Sequence, residues 1–274
     1  MSNLIARVLT ATVLGGVVVF GTLRLPFEFM TGLFSLMLFG AALEWSQLAG
    51  IARRAARIAY AAVSVAAALA SVLVLRGQAA ALTGVLLLGC LWWLVAGAWV
   101  VHYQLYEGPK ISDRRWLALC GWLALVPALV ALLALLARDP ALLLALFALV
   151  WGADICAYFG GKTFGRRRLA SHVSPGKTWE GLAAALLGTQ LLAAVGAGSG
   201  LLTRLSLLEA LALAAVTVAA SVVGDLLESL LKRLRGVKDS GTLLPGHGGI
   251  LDRIDSLLAA APVFTLGYFL MEQP

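Results

Sequence analysis

Residues 229–255, SLLKRLRGVKDSGTLLPGHGGILDRID, hold the densest mixture of charge and glycine in the chain. Lys232, Arg233, Arg235, Lys238 and Arg253 are cations, Asp239, Asp252 and Asp255 are carboxylates, and His247 stands among five glycines. That combination suits a site where backbone amides and cations hold phosphate groups while carboxylates hold a metal. In Pro245-Gly246-His247-Gly248-Gly249, three glycines around one histidine let amides approach an anion without intervening side chains. Asp252 and Asp255 follow at i, i+3 spacing, on one face of a helix that begins there. Carboxylates beside a phosphate-binding turn fit Mg²⁺, which takes one or two carboxylates plus phosphate oxygens. The structural alternative is that Arg253 neutralises the two aspartates, which leaves the glycines unexplained.

Upstream, Asp154, Glu180, Asp225 and Glu228 lie within or at the ends of apolar segments. A carboxylate in a bilayer costs several kcal/mol, so such groups have a partner or a task. Asp225, Glu228, Ser229 and Lys232 share one helical face, and an internal pair of Asp225 or Glu228 with Lys232 is the bland explanation. Ser174-Pro175-Gly176-Lys177-Thr178-Trp179-Glu180-Gly181 supplies a second polar loop. Its Gly-Lys-Thr triplet is not a P-loop, because the first glycine of that motif would fall at Ser171. What remains is a Ser-Pro turn and a lysine leading into a helix whose N-terminus favours anions, with Thr178 or Ser174 as its cap. His172 reads as a solvated loop residue and His102 as interfacial. No Ser/His/Asp or Cys/His nucleophile arrangement stands out.

The elements that position these groups are membrane helices. Of 274 residues, 61% are hydrophobic and 13% charged, which is not a soluble globular composition. Apolar segments of the length that crosses a bilayer recur throughout, and backbone satisfaction in lipid requires them to be helical. Nine spans are expected: 4–23, 27–48, 58–75, 79–101, 116–137, 141–161, 178–198, 207–231 and 254–271. The first is too long for a signal peptide and lacks a clear cleavage site. The fold class is therefore an all-α polytopic transmembrane bundle, divided into N-terminal helices (1–137) and a C-terminal catalytic region (138–274). Cys90, Cys120 and Cys156 lie in apolar spans without metal or redox spacing.

Of 21 Lys and Arg, the loops on one side hold only Arg24, Arg76, Arg138 and Arg204. The positive-inside rule then makes the N-terminus cytoplasmic and puts both polar loops on the cytoplasmic face. The net charge of +7 follows from this topology and does not call for nucleic acid.

Ser229-x-Leu231-Lys232-Arg233, Lys238-Asp239-x-Gly241 and Leu244-Pro245-x-His247-Gly248-Gly249-Ile250-x-Asp252-Arg253-Ile254-Asp255 together resemble the complete signature of phosphatidate cytidylyltransferases (CDP-diacylglycerol synthases). Asp154-x-x-Ala157-Tyr158 and the 174–181 loop are also similar to that family. Ile155-Cys156 departs from it, since small polar residues are common there. The likeness is close in the C-terminal half and general in the N-terminal half.

The resemblance implies the reaction of CTP with phosphatidic acid to CDP-diacylglycerol and pyrophosphate, with Mg²⁺ as cofactor and K⁺ as a candidate second cation. It implies Asp225 and Asp252 as metal ligands. It assigns Lys232, Arg233, Lys238, Asp239, His247 and Asp255 to catalysis. Ser174, Lys177, Thr178, Glu180, Ser229, Gly248, Gly249 and Arg253 are assigned to substrate binding. Asp239 and Asp255 are open between supporting the metal ligands and holding a second cation. The expected partners are CTP, phosphatidic acid and membrane lipid, with a homodimer compatible with a glycine-rich bundle. A bacterial chain of this kind resides in the inner membrane. A transporter and a CTP-dependent lipid kinase are the competing readings, and neither accounts for the signature.

Overall fold

The computed structural model describes residues 15–74, 77–106, 113–199, 202, 204–243 and 248–272. Among them are nine helices: α1 (Gly15–Arg24), α2 (Phe27–Leu48), α3 (Arg54–Val74), α4 (Ala79–Tyr106), α5 (Arg114–Arg138), α6 (Pro140–Phe164), α7 (Trp179–Gly198), α8 (Leu207–Arg235) and α9 (Leu251–Met271). Eight are long and apolar enough to cross a membrane. The expected span at 4–23 lies largely outside the described residues, and its described part is the ten-residue α1. The chain is an all-α polytopic membrane bundle.

The helices overrun the expected spans mainly at one end of the bundle. α4 continues to Tyr106, α6 to Phe164 and α8 to Arg235, while α3 starts at Arg54 and α9 at Leu251. Hydropathy sees only the hydrocarbon core, whereas these extra turns carry the charged and aromatic side chains of the interface.

α5 is the most enclosed helix, and its Leu117, Leu125, Leu129, Leu133 and Leu135 are buried among neighbours. α4, α5 and α9 pack together, α6 packs along α7, and α8 packs along α9. Lipid tails are as apolar as leucine, so the fit of these faces drives association rather than escape from water. The outward faces keep exposed leucines, such as Leu87, Leu91 and Leu94 on α4 and Leu187 and Leu191 on α7. The boundary expected at residue 137 falls at the end of α5, and one hydrophobic core runs across it.

Local caps explain where several helices begin. The Asp113 carboxylate accepts the Arg115 amide, and that of Asp139 accepts the Ala141 amide with Pro140 in the first helical turn. Thr178 caps α7, and Ser206 with Glu209 forms a capping box on α8. α8 ends at Gly236 in the left-handed conformation. α9 has no cap of its own.

The described residues also hold one element the sequence reading did not contain. Arg168–Ala170 (β1) and Ser174–Thr178 (β2) form a short antiparallel hairpin between α6 and α7. Three- and five-residue strands in a polar loop leave no hydrophobic alternation to detect. The hairpin is held from outside: Gln104 at the end of α4 donates to the Ser171 hydroxyl and accepts the His172 amide.

Candidate active site

Two carboxylate centres form at the same end of the bundle, one around Asp225 and one around Asp252. Asp225, on α8, accepts the hydroxyl of Ser229 one turn later at 3.3 Å and forms an ion pair with Lys177 of β2. Asp154 of α6 and Asp255 of α9 lie within electrostatic range of Asp225 and Lys177. Gly224 makes this convergence possible, because a Cβ there would stand 2.3 Å from the Asp255 carbonyl oxygen. α9 therefore approaches α8 beside the two aspartates.

Asp252 is held more fully. Its Oδ1 accepts the Lys232 ammonium at 2.7 Å, and its Oδ2 accepts the Gly249 amide at 2.9 Å and both the amide and hydroxyl of Ser240 at 3.0 Å. Lys232 also pairs with Glu228 one turn earlier, a residue only 2% exposed. The internal pair weighed from the sequence is thus present for Glu228, while Asp225 pairs with the hairpin instead.

Beneath Asp252 sits a residue that the sequence reading passed over. Glu44 of α2 is fully buried, at 0% exposure. Its carboxylate accepts the Ser240 hydroxyl at 3.0 Å, the Ile250 amide at 3.0 Å and the Leu251 amide at 2.8 Å. Glu44 supplies from a distant helix the cap that α9 lacks. The signal was available: a carboxylate inside an expected span carries the same cost that drew attention to Asp154 and Asp225.

This arrangement changes the reading of the glycines. The Gly249 amide is committed to Asp252 and the next two amides to Glu44, so the anions these three donors face are carboxylates of the protein itself. A Cβ at Gly249 would stand 2.1 Å from Ser240 Oγ and 2.5 Å from Glu44 Oε2, and one at Gly241 would stand 2.4 Å from Glu44 Oε1. Gly249 and Gly241 are glycines because a buried carboxylate packs on their backbone. Gly248 has φ +84°, in the region that favours glycine, and lies beside Asp239.

The remaining residues singled out from sequence divide between frame and surface. Thr178 accepts the Gly181 amide as the cap of α7, and Glu180 accepts the Arg166 and Arg167 amides, fixing the turn into the hairpin. Both act on the loop's own backbone. Arg233 donates to the Val173 carbonyl at 3.2 Å, a second tie between α8 and the hairpin. Ser174 is half-buried at the start of β2. Lys238, Asp239 and Arg253 are exposed around the two centres. His247 lies outside the described residues. An open cavity of about 720 Å³, lined by Phe164, Arg166, Arg167, Trp179 and Glu180 among others, adjoins the start of α7. It includes neither Asp225 nor Asp252, and the charged groups rather than this hollow define the site.

The donor chemistry suits a hard divalent cation. Asp225 offers oxygen, and its cationic partner Lys177 is a flexible lysine that can move aside. Among the described residues, no three acidic, His or Cys side chains converge into a closed metal cage. Asp252 has Oδ2 committed to three donors, so Oδ1, which holds Lys232, is the oxygen left for a cation.

Comparison with known proteins places this geometry in a family. Over 267 residues, covering 94% of both chains, the sequence is 45% identical to a phosphatidate cytidylyltransferase of Pseudomonas aeruginosa. It is 51% identical over 131 residues to one from Haemophilus influenzae, about half of each chain (47% and 46%). It is also 48% identical over 106 residues to phosphatidate cytidylyltransferase 5, chloroplastic, of Arabidopsis thaliana, covering 39% of this chain and 26% of that protein. Residues 5–271 match the cytidylyltransferase family, and the chain belongs to it.

Proposed function

We infer that the protein transfers the cytidylyl group of CTP to phosphatidic acid, giving CDP-diacylglycerol and pyrophosphate. The observation that carries this is the end-to-end similarity to a phosphatidate cytidylyltransferase, which spans the signature and both polar loops. A phosphate oxygen of the lipid attacks the α-phosphorus of CTP. The new phosphorus–oxygen bond forms as the bond to the bridging oxygen of the β-phosphate breaks, and pyrophosphate leaves. The attacking phosphate is already an anion, so no protein nucleophile or strong base is needed. Positioning and charge stabilisation supply the rate.

Asp225 would hold Mg²⁺, with Asp252 joining when Lys232 moves to substrate, and the ion would supply charge neutralisation on the phosphates. Lys177 and Lys232 are the cations best placed to meet phosphate, since each is paired with one of the two aspartates of the site. Arg233 and Lys238 extend the positive surface at the same end. Asp154 and Asp255 bring two further carboxyl groups within electrostatic range of Asp225, a setting that a bound cation would favour. The cation bias of the loops supports a cytoplasmic N-terminus and a site at the cytoplasmic face. CTP and pyrophosphate would then exchange with the cytosol while the lipid stays in the bilayer.

The test uses protein purified in detergent with phosphatidic acid, Mg²⁺ and CTP labelled in the cytosine or at the γ-phosphate. Cytidine label extracted with the lipid supports the proposal. Lipid labelled only from the γ-phosphate would replace it with a kinase. No turnover of either kind by folded, lipid-binding protein would overturn it.

A further inference from the structure

We propose that Glu44 is a positioning residue for the reaction: from α2 it fixes the loop that carries Asp252 and the first turn of α9. The inference rests on the cytidylyl-transfer reading for its kinetic part and on geometry for its structural part.

Three independent features point to Glu44. First, its carboxylate takes two of the backbone donors that a helix start leaves unsatisfied, those of Ile250 and Leu251. Second, the Ser240 hydroxyl lies 3.0 Å from both Glu44 Oε2 and Asp252 Oδ2, so this one side chain bridges the two carboxylates. Displacing Glu44 therefore shifts the residue that orients Asp252. Third, Gly241 and Gly249 lack side chains where a Cβ would collide with Glu44. The loop is shaped around this side chain.

A further tie fixes α2 itself. Arg235, at the end of α8, donates through Nε to the Leu48 carbonyl at the end of α2. Gly50, with φ +82°, leaves room for that guanidinium. The N-terminal half thus does more than anchor the chain in lipid, because α2 is clamped between the end of α8 and the start of α9. Lys232 and Asp252 stand on those same two segments.

Glu44→Gln is the discriminating variant. It keeps the shape but replaces one acceptor oxygen with a donor NH₂. Ser240 can rotate to accept from that group and donate to Asp252. Either amide orientation still leaves one of the Ile250 and Leu251 N–H groups facing a donor. Hydrogen exchange and kinetics should both report the change. The expected result is exchange at 250–251 faster by about tenfold or more, and kcat lower by about tenfold with the phosphatidic acid KM within about twofold. A general loss of fold would instead speed exchange throughout α9 and cut the active fraction.

Unchanged exchange at 250–251, or kcat within about twofold of wild type, overturns the proposal. Wild-type protein without turnover would sink the cytidylyl-transfer reading, and the exchange measurement would still decide the role of Glu44. If Glu44→Gln does not accumulate in folded form, the wild-type protein decides. Protection of 250–251 equal to that of the middle of α9 supports the proposal, and exchange as fast as an uncapped first turn overturns it.

Discussion

Asp225 and Asp252 stand at the same end of the bundle, yet they are held in opposite ways. Asp252 accepts from two amides, a hydroxyl and an ammonium, and three of those donors belong to the loop just before it. Asp225 has a hydroxyl one turn away and a lysine from a separate hairpin. A carboxylate surrounded by amides is part of the frame, because releasing it leaves buried donors unsatisfied. A carboxylate facing a flexible ammonium can exchange that partner for a metal or let it go to a phosphate. The contrast separates two tasks that the sequence presents as one row of charges.

The sharpest test of the contrast is to neutralise each aspartate in turn. Asp225→Asn should lower cytidylyl transfer by roughly 10²–10³-fold and leave thermal unfolding in detergent nearly unchanged. Asp252→Asn should cost activity on the same scale and also about 1–3 kcal/mol of stability, because in either amide orientation an NH₂ group then faces a donor, the Lys232 ammonium or those of Gly249 and Ser240. Equal stability losses in the two variants would erase the distinction.

Lys177→Ala should reduce kcat/KM for CTP by roughly 10–100-fold, with a smaller loss for Lys177→Arg, since the mobile partner of Asp225 is removed without touching the frame of Asp252. Gly241→Ala should destabilise the protein by about 1–3 kcal/mol through overpacking, and by much less when combined with Glu44→Ala, which removes the colliding carboxylate. Additive costs in that double-mutant cycle would break the account of the loop.

The smallest effect belongs to the far end, where Arg138 and Arg204 both pair with Glu272. Arg204→Ala should change stability by less than about 1 kcal/mol and leave turnover alone.

Much of this architecture is legible from composition. Runs of apolar residues give the spans from α2 to α9, and the spacing of Asp225, Glu228, Ser229 and Lys232 places them on one helical face, where the structure has them interacting. The ends of the helices are less legible, because their last turns enter the interface and cease to be apolar. The hairpin escapes because its pairing is set by Gln104, Arg233 and Asp225 on other helices. Glu44 escapes for a related reason. In the sequence Leu43-Glu44-Trp45 it is one polar residue in an apolar run, and its meaning comes from amides more than 200 positions away. The glycines were legible as a close approach, but the sequence could not say whether substrate or the protein itself makes that approach.

That separation has a consequence for how the molecule is made. Glu44 and Ile250 are 206 residues apart, and chains grow at roughly 5–20 residues per second, so about 10–40 s passes between the synthesis of the acceptor and its donor. Throughout that interval α2 is already emerging into the bilayer with a carboxylate whose permanent partners do not yet exist. Its place near the end of the helix lets it wait in the wet headgroup layer rather than in hydrocarbon. α9 is therefore the helix that closes the site, and a chain cut short before it would be left with a solvated acid in place of a buried clasp. Synthesis of α9, rather than insertion of the early spans, is the step at which this clasp can close.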